Sequence, residues 1–117
     1  MASNIAIALV MLMNASRADV HAPAFVEDPV LSSRAQTRAE WLCANHQFSH
    51  DGYQLAFQGS PYNWKGENLA QGYQDPRAIH AQLMNSPGHR ANILRPQFGA
   101  VGIGHACHIT VELFGGR

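Results

Sequence analysis

The chain has 117 residues, of which 46% are hydrophobic and 14% charged, and its eight basic residues balance eight acidic ones. A chain of this length folds as one domain, residues 1–117, and can bury a core without a metal or a disulfide framework. The composition excludes a disordered chain. The formal net charge is zero, so the chain lacks the excess of basic residues that is typical of nucleic-acid-binding proteins. No nucleic-acid partner is therefore expected.

The first apolar segment, residues 5–13, permits two interpretations. Nine apolar residues are too few to span a membrane but suit the core of a signal peptide, and Val20-His21-Ala22 resembles a cleavage site. However, no lysine or arginine precedes the segment. This absence favours the second interpretation, a first core helix from about Ile5 to Ala18.

Two longer helices are predicted further along the chain. One runs from about Asp28 to His46, because five residues recur on one face of a 3.6-residue period: Ala35, Ala39, Leu42, Cys43 and His46. The other begins at Asp75-Pro76, with the aspartate as N-cap and the proline at the first helical position. Pro87-Gly88 ends it, and a short helical turn follows. Residues 51–66 lack periodicity and indicate a long loop.

After Ala100 the period changes to two, which predicts a strand or a tight hairpin centred near Ala106-Cys107. Four alternating apolar residues should lie in the sheet core: Val101, Ile103, Val111 and Leu113. Glu112 falls on the polar side of this alternation and is expected to be an exposed carboxylate. Helices first and strands last predict an α+β fold with helices covering a sheet.

Three short motifs carry the chemistry. They are Phe48-Ser49-His50, Gly66-Glu67-Asn68 and Ser86-Pro87-Gly88-His89-Arg90. Two imidazoles and a carboxylate suit a divalent transition metal, and they equally suit an acid/base site. The sequence gaps between these residues are too long to show that they meet in space.

Together with a later Gly-x-Gly strand and a Phe-Gly pair, these motifs resemble the CAP superfamily (SCP/TAPS) in its short bacterial form. The resemblance extends from Met13 to Gly115. It implies a three-layer α-β-α sandwich and an extracellular or cell-envelope location. It also implies that His50, Glu67 and His89 line one groove, where the two histidines can hold zinc or a similar divalent metal. A lipid, sterol or peptide-like molecule is the implied ligand of the groove.

The resemblance does not decide whether the chain is an enzyme, because proposed activities in the family are diverse. One alternative is a hydrolase. In one form of it a metal-bound water attacks the substrate, and in the other the side chains of Glu67, His50 and His89 are themselves catalytic. Another is an interaction module whose groove is vestigial. Leu83 and Ser86 stand where many eukaryotic members carry a tryptophan and a second glutamate. With two histidines and one acid, we expect weak zinc binding.

Other histidines and the two cysteines leave further alternatives. His46 and His50 would share a helix face if the second helix extended that far, forming a two-ligand zinc face. His105 and His108 flank Cys107, which indicates a polar hairpin tip rather than a metal site. Cys43 and Cys107 lie on elements that should pack together, so the pair is either a disulfide or two thiols, depending on the compartment.

Overall fold

A four-stranded mixed sheet forms the middle layer of the computed structural model, which describes residues 4–117. The strands are β1 (Val26–Glu27), β2 (Trp64–Gln71), β3 (Ala100–Ala106) and β4 (Ile109–Gly116). Their order in the sheet is β1-β3-β4-β2. The β1–β3 pair is parallel, and β4 pairs antiparallel with both β3 and β2. The eight-residue strand β2 is therefore an edge of the sheet.

Helices cover both faces of this sheet. They are α1 (Asn4–Asp19), α2 (Pro29–Ala44), α3 (Pro76–Met84) and α4 (Pro87–Leu94), and a 3₁₀ segment spans Tyr53–Phe57. Helix α2 packs on one face with a cluster that includes Leu69, Val111 and Leu113, and the other helices pack on the opposite face with Val101 and Ile103. The predicted α+β sandwich of three layers is confirmed. Within residues 4–117, no helix is long and apolar enough to cross a membrane.

Helix α2 approaches strand β3 so closely that only glycine fits between them. A Cβ atom at Gly102 would collide with the backbone of Leu31, and one at Gly104 would collide with the backbone of Ala35. The alanines at the contact face of α2 are completely buried, which fits this backbone-to-backbone packing. The Gly-x-Gly pattern of the sequence thus fixes the spacing between the helix and the sheet.

The first apolar segment belongs to the folded domain as helix α1, with Leu9 and Met13 fully buried. The polar residues near its end are structural. Asn14 exchanges two hydrogen bonds with the backbone of Phe25, at 2.7 and 3.2 Å. Arg17 is completely buried, and its guanidinium lies 3.8 Å from the centre of the Phe25 ring. These contacts hold α1 against the segment that leads into β1.

Two expectations about the segment after α2 are wrong. The helix ends at Ala44, and His46 adopts a left-handed conformation with φ of 50°. His46 and His50 therefore do not share a helix face, and the two-ligand zinc face between them does not form. Residues 51–66 are not all loop, because they contain the 3₁₀ segment and the start of β2.

A disulfide joins Cys43 at the end of α2 to Cys107 at the tip of the β3–β4 hairpin, with Cα atoms 5.7 Å apart. The hairpin turns at Cys107 and His108, one position later than expected. Both residues have positive φ, 52° and 65°, as a two-residue turn of the type I′ class requires. The disulfide alternative is thus the one observed.

Removing this disulfide is expected to lower the free energy of unfolding by about 4 kcal/mol, because it closes a loop of 64 residues in the unfolded chain. Urea unfolding with and without dithiothreitol measures the loss. A Cys43→Ala/Cys107→Ala variant serves as control, since the reductant should leave its stability unchanged. Equal stability of the oxidised and reduced wild-type protein would contradict the prediction.

Candidate functional site

The centre of the candidate site is Glu67 on the edge strand β2. Its side chain is fully buried, on the face of the sheet that α2 covers. Arg38 binds the carboxylate through two hydrogen bonds. Its Nε donates to Oε2, and its Nη2 donates to Oε1 at a distance of 3.1 Å. His50 Nδ1 lies 2.8 Å from Oε1. Both oxygens are therefore engaged, and the buried charge is compensated.

Arg38 is the residue that sequence reasoning missed. Besides Glu67, its guanidinium donates to the carbonyl oxygens of Ser49, at 2.8 Å, and Asp51, at 3.3 Å. Those carbonyls flank His50 on both sides. Arg38 thus fixes the loop that carries the histidine and the carboxylate that orients it. No local motif marks Arg38, because its partners lie between 11 and 29 residues away.

His50 is held at one ring nitrogen and open at the other. The Glu67 carboxylate is paired with arginine and accepts a hydrogen bond, so Nδ1 is the ring nitrogen that donates to it, and in the neutral ring Nε2 then keeps its lone pair. The His50 side chain is 56% exposed, and Nε2 has no hydrogen-bond partner among the described residues. Carboxylates behind histidines fix the orientation and the tautomer of the ring in this way at metal sites.

His89 lies in the first turn of α4 and is half-buried. Burial lowers the pKa of the imidazole, and a positive charge on the nearby His50, when that ring is protonated, lowers it further. The two imidazoles are thus near enough for their charges to interact, and the neutral form of His89 is favoured. The backbone carbonyl of His89 accepts a hydrogen bond from Asn68 Nδ2 at 3.1 Å, which ties the start of α4 to the strand that carries Glu67.

Asn68 belongs to a buried polar network beneath His89. Its side-chain oxygen accepts from Asn92 Nδ2 at 3.0 Å, and its Nδ2 also donates to Glu112 Oε1 at 3.2 Å. Glu112 is completely buried, so the expectation of an exposed carboxylate is wrong. The reason is that helices cover both faces of the sheet, which leaves no solvent side to strand β4. Burial raises the pKa of Glu112 to about 7, although the Asn68 hydrogen bond opposes this shift.

The predicted metal set of His50, His89 and Glu67 stays a prediction. Among residues 4–117, no three histidine, cysteine, aspartate or glutamate side chains converge as a ligand set. Two neighbouring imidazoles nonetheless have the right chemistry for zinc, since His50 keeps Nε2 free and the neutral form of His89 is favoured. Both ring nitrogens of His105, which precedes Cys107 in the hairpin, have hydrogen-bond partners. Nδ1 lies 2.9 Å from Thr110 Oγ1, and Nε2 lies 2.9 Å from Gln74 Oε1.

A groove of about 940 Å³ adjoins the site, between α2 and the 3₁₀ segment. The residues that line it include Arg34, Thr37, Arg38, Trp41, Leu55 and Gln58. His50, Glu67 and His89 are not among the lining residues, so the groove lies beside the histidines rather than around them. Arg38 connects the two, because it lines the groove and holds Glu67.

The fold is a three-layer α-β-α sandwich in which the buried Glu67 carboxylate holds a partly exposed histidine at one edge of the sheet. The model of the cysteine-rich secretory protein (CAP) family matches residues 10–110, and the chain belongs to this family. The resemblance drawn from the three motifs is confirmed.

Two relatives extend the comparison. The chain is 33% identical over 104 residues to the uncharacterized protein YkwD of Bacillus subtilis, a match that spans 83% of this chain and 40% of that protein. An extracellular protein containing a SCP domain from Bacillus anthracis superposes with a TM-score of 0.90 at 26% identity, covering 97% of this chain and 40% of the other. This chain thus spans less than half the length of both relatives.

An outer surface protein from Borrelia burgdorferi has the same fold along nearly its whole length. Its TM-score is 0.83 at 22% identity, and the match covers 93% of this chain and 90% of that chain. At this level of identity the likeness concerns the fold alone.

Proposed function

We propose that His50 and His89 bind a divalent transition metal such as zinc, and that the adjoining groove takes a lipid, sterol or peptide-like ligand. The single observation that supports metal binding is the contact between the buried Glu67 carboxylate and His50 Nδ1. This contact orients the exposed imidazole and leaves its Nε2 available to a metal. In this proposal Glu67 acts by orienting His50 rather than as a ligand, because Arg38 and His50 already occupy both of its oxygens. Water or a bound molecule fills the remaining metal positions.

Zinc binding is expected at about micromolar affinity, because only two protein ligands are available. His50→Ala/His89→Ala should abolish it, and Glu67→Gln should weaken it by about 10- to 100-fold. Isothermal calorimetry measures both effects. A matched control is His46→Asn/His108→Asn, which also removes two histidines but keeps a residue that tolerates positive φ. Identical zinc uptake by the wild type and the double alanine variant would refute the site.

The pH dependence of zinc binding follows from the need for neutral imidazoles. Affinity should fall as the pH drops below about 6.5, the ordinary pKa of histidine. Because burial lowers the pKa of His89, protons compete with the metal at His89 only at still lower pH.

The same carboxylate–histidine pair supports a second candidate, a hydrolase. His50 Nε2, with Nδ1 held by Glu67, has the arrangement of a general base. Peptide and ester hydrolysis, measured with zinc and with a chelator, tests this candidate. Activity lost in His50→Ala and absent from matched protein-free controls would favour it over a binding module. Absence of zinc binding, ligand binding and hydrolysis would favour an interaction module with a vestigial groove.

We also propose an extracellular or cell-envelope location. The Bacillus anthracis relative is described as extracellular and the Borrelia burgdorferi relative as an outer surface protein. The Cys43–Cys107 disulfide is consistent with an oxidising compartment.

A further inference from the structure

Arg34 and Arg38 lie one helical turn apart on α2 and both reach the loop that follows the helix. Arg38 donates from Nη1 to the carbonyl of Asp51 and holds Glu67 with its Nε–Nη2 edge. Arg34 donates from Nη1 to the carbonyls of Ala56, at 2.8 Å, and Gln58, at 2.5 Å. The two guanidinium groups thus anchor the loop in the same manner.

The difference between them is the Nε–Nη2 edge. In Arg34 this edge has no hydrogen-bond or ion-pair partner among residues 4–117. A guanidinium edge whose other end is already fixed is preorganised to receive a carboxylate through two parallel hydrogen bonds. Arg34 lines the groove, and its unpartnered edge is the one that Arg38 uses to bind Glu67.

Asp28 is the acidic residue whose charge interacts with that of Arg34, but its carboxylate is hydrogen-bonded to other groups. Burial opposes the ionised form of Asp28, but hydrogen bonds from Tyr62 and from backbone amides, together with the charge of Arg34, hold the pKa of Asp28 below its usual value. The Asp28 carboxylate accepts from Tyr62 Oη at 2.6 Å and from Val30 N at 2.8 Å. The ion pairs of the described residues do not include one between Asp28 and Arg34.

The lining of the groove also includes large apolar side chains. Trp41 is 49% exposed and Leu55 is 69% exposed, and both line the groove with Arg34. Trp41 follows Arg34 by seven residues on the same helix, which corresponds to about 10 Å along its axis. An extended peptide covers that distance with about three residues.

We propose that the groove binds the C-terminal end of a peptide, with its carboxylate on the Nε–Nη2 edge of Arg34 and an apolar side chain against Trp41 and Leu55. This inference deepens the ligand half of the proposed function and is independent of the metal. A sterol has no anion to pair with Arg34. An acyl chain would leave the hydrogen-bonding groups of Thr37 and Gln58 unused, whereas a peptide backbone offers them partners.

The test compares acetyl-phenylalanyl-alanyl-alanine with the same peptide as its C-terminal amide, by calorimetry in the presence of a chelator. The free acid should bind at least about tenfold more tightly, since a charge-assisted bidentate pair is lost in the amide. Equal affinities, or no binding of either peptide, would overturn the proposal. Decanoate serves as a third probe. Binding of decanoate without binding of the peptide would also overturn it, while leaving a lipid ligand in place.

Variants distinguish two roles of Arg34, binding of the peptide carboxylate and anchoring of the loop after α2. Arg34→Gln should reduce the affinity of the free acid to that of the amide without changing the affinity of the amide. A loss shared by both peptides would show that Arg34 acts only on the loop, against the proposal. Arg77→Gln on α3 is the matched control, because that side chain is 84% exposed and outside the groove. Trp41→Ala leaves the Arg34 contacts intact and should weaken both peptides, and unchanged binding would contradict the placement of the apolar side chain.

Discussion

Gly104→Ala is expected to lower the free energy of unfolding by about 3 kcal/mol or more, although it adds a single methyl group. The new Cβ would overlap the carbonyl carbon and oxygen of Ala35 and the amide nitrogen of Gln36. These are backbone atoms of α2, so the clash is relieved only if the whole helix moves away from the sheet. Overpacking of a core commonly costs about 1–3 kcal/mol, and here the neighbour is a rigid helix.

Urea unfolding monitored by circular dichroism measures this effect, and Gly88→Ala is the control. Gly88 lies in helix α4, and a Cβ there would meet nothing within 4 Å. That substitution should be neutral or stabilise by about 0.5–1 kcal/mol, because alanine favours helix more than glycine. If Gly104→Ala were as stable as Gly88→Ala, α2 could not lie on β3 as closely as the structure shows.

The helices were predictable because their signals are local. Asp75-Pro76 starts α3, as the capping residues indicated, and three residues of the apolar period of α2 lie on its buried face, namely Ala35, Ala39 and Leu42. The hairpin was also predictable, since β3 and β4 alternate and connect directly. Strand β2 carried no such signal. Residues 66–70 are buried without alternation, and the segment mixes glycine, glutamate and asparagine with few β-branched residues.

The candidate site was predictable only in part. The motifs identified His50 and Glu67, which the structure brings to 2.8 Å. Arg38 is equally close to Glu67 but carries no sequence signal, because a long-range ion pair leaves no period or spacing in the chain. The predicted exposure of Glu112 was wrong for a related reason, since the burial of a residue on a strand also depends on distant segments. Alternation indicates a solvent face only when one side of the sheet is open, and here both sides are covered.

Replacing Arg17 by methionine is expected to lower the free energy of unfolding by about 3–5 kcal/mol, because several buried carbonyl oxygens lose their donor at once. Arg17 is the largest fully buried side chain, and burial lowers its pKa. Its guanidinium donates to four backbone carbonyls at 2.6–2.9 Å, those of Pro23, Ile93, Arg95 and Phe98. Methionine has similar length but no donor, so buried carbonyl oxygens would lose their partners, each at a cost of about 1–3 kcal/mol.

Arg17→Lys and Arg77→Met complete the experiment, with chemical denaturation as the measurement. Lysine keeps the charge but has one nitrogen, which cannot serve four carbonyls that lie around a planar guanidinium, so an intermediate loss is expected. Arg77→Met removes an 84% exposed arginine and should change stability by less than about 0.5 kcal/mol. If Arg17→Met matched Arg77→Met, the carbonyls around Arg17 would have to find other donors. The link between α1 and the segments before β1 and β3 would then rest on apolar packing alone.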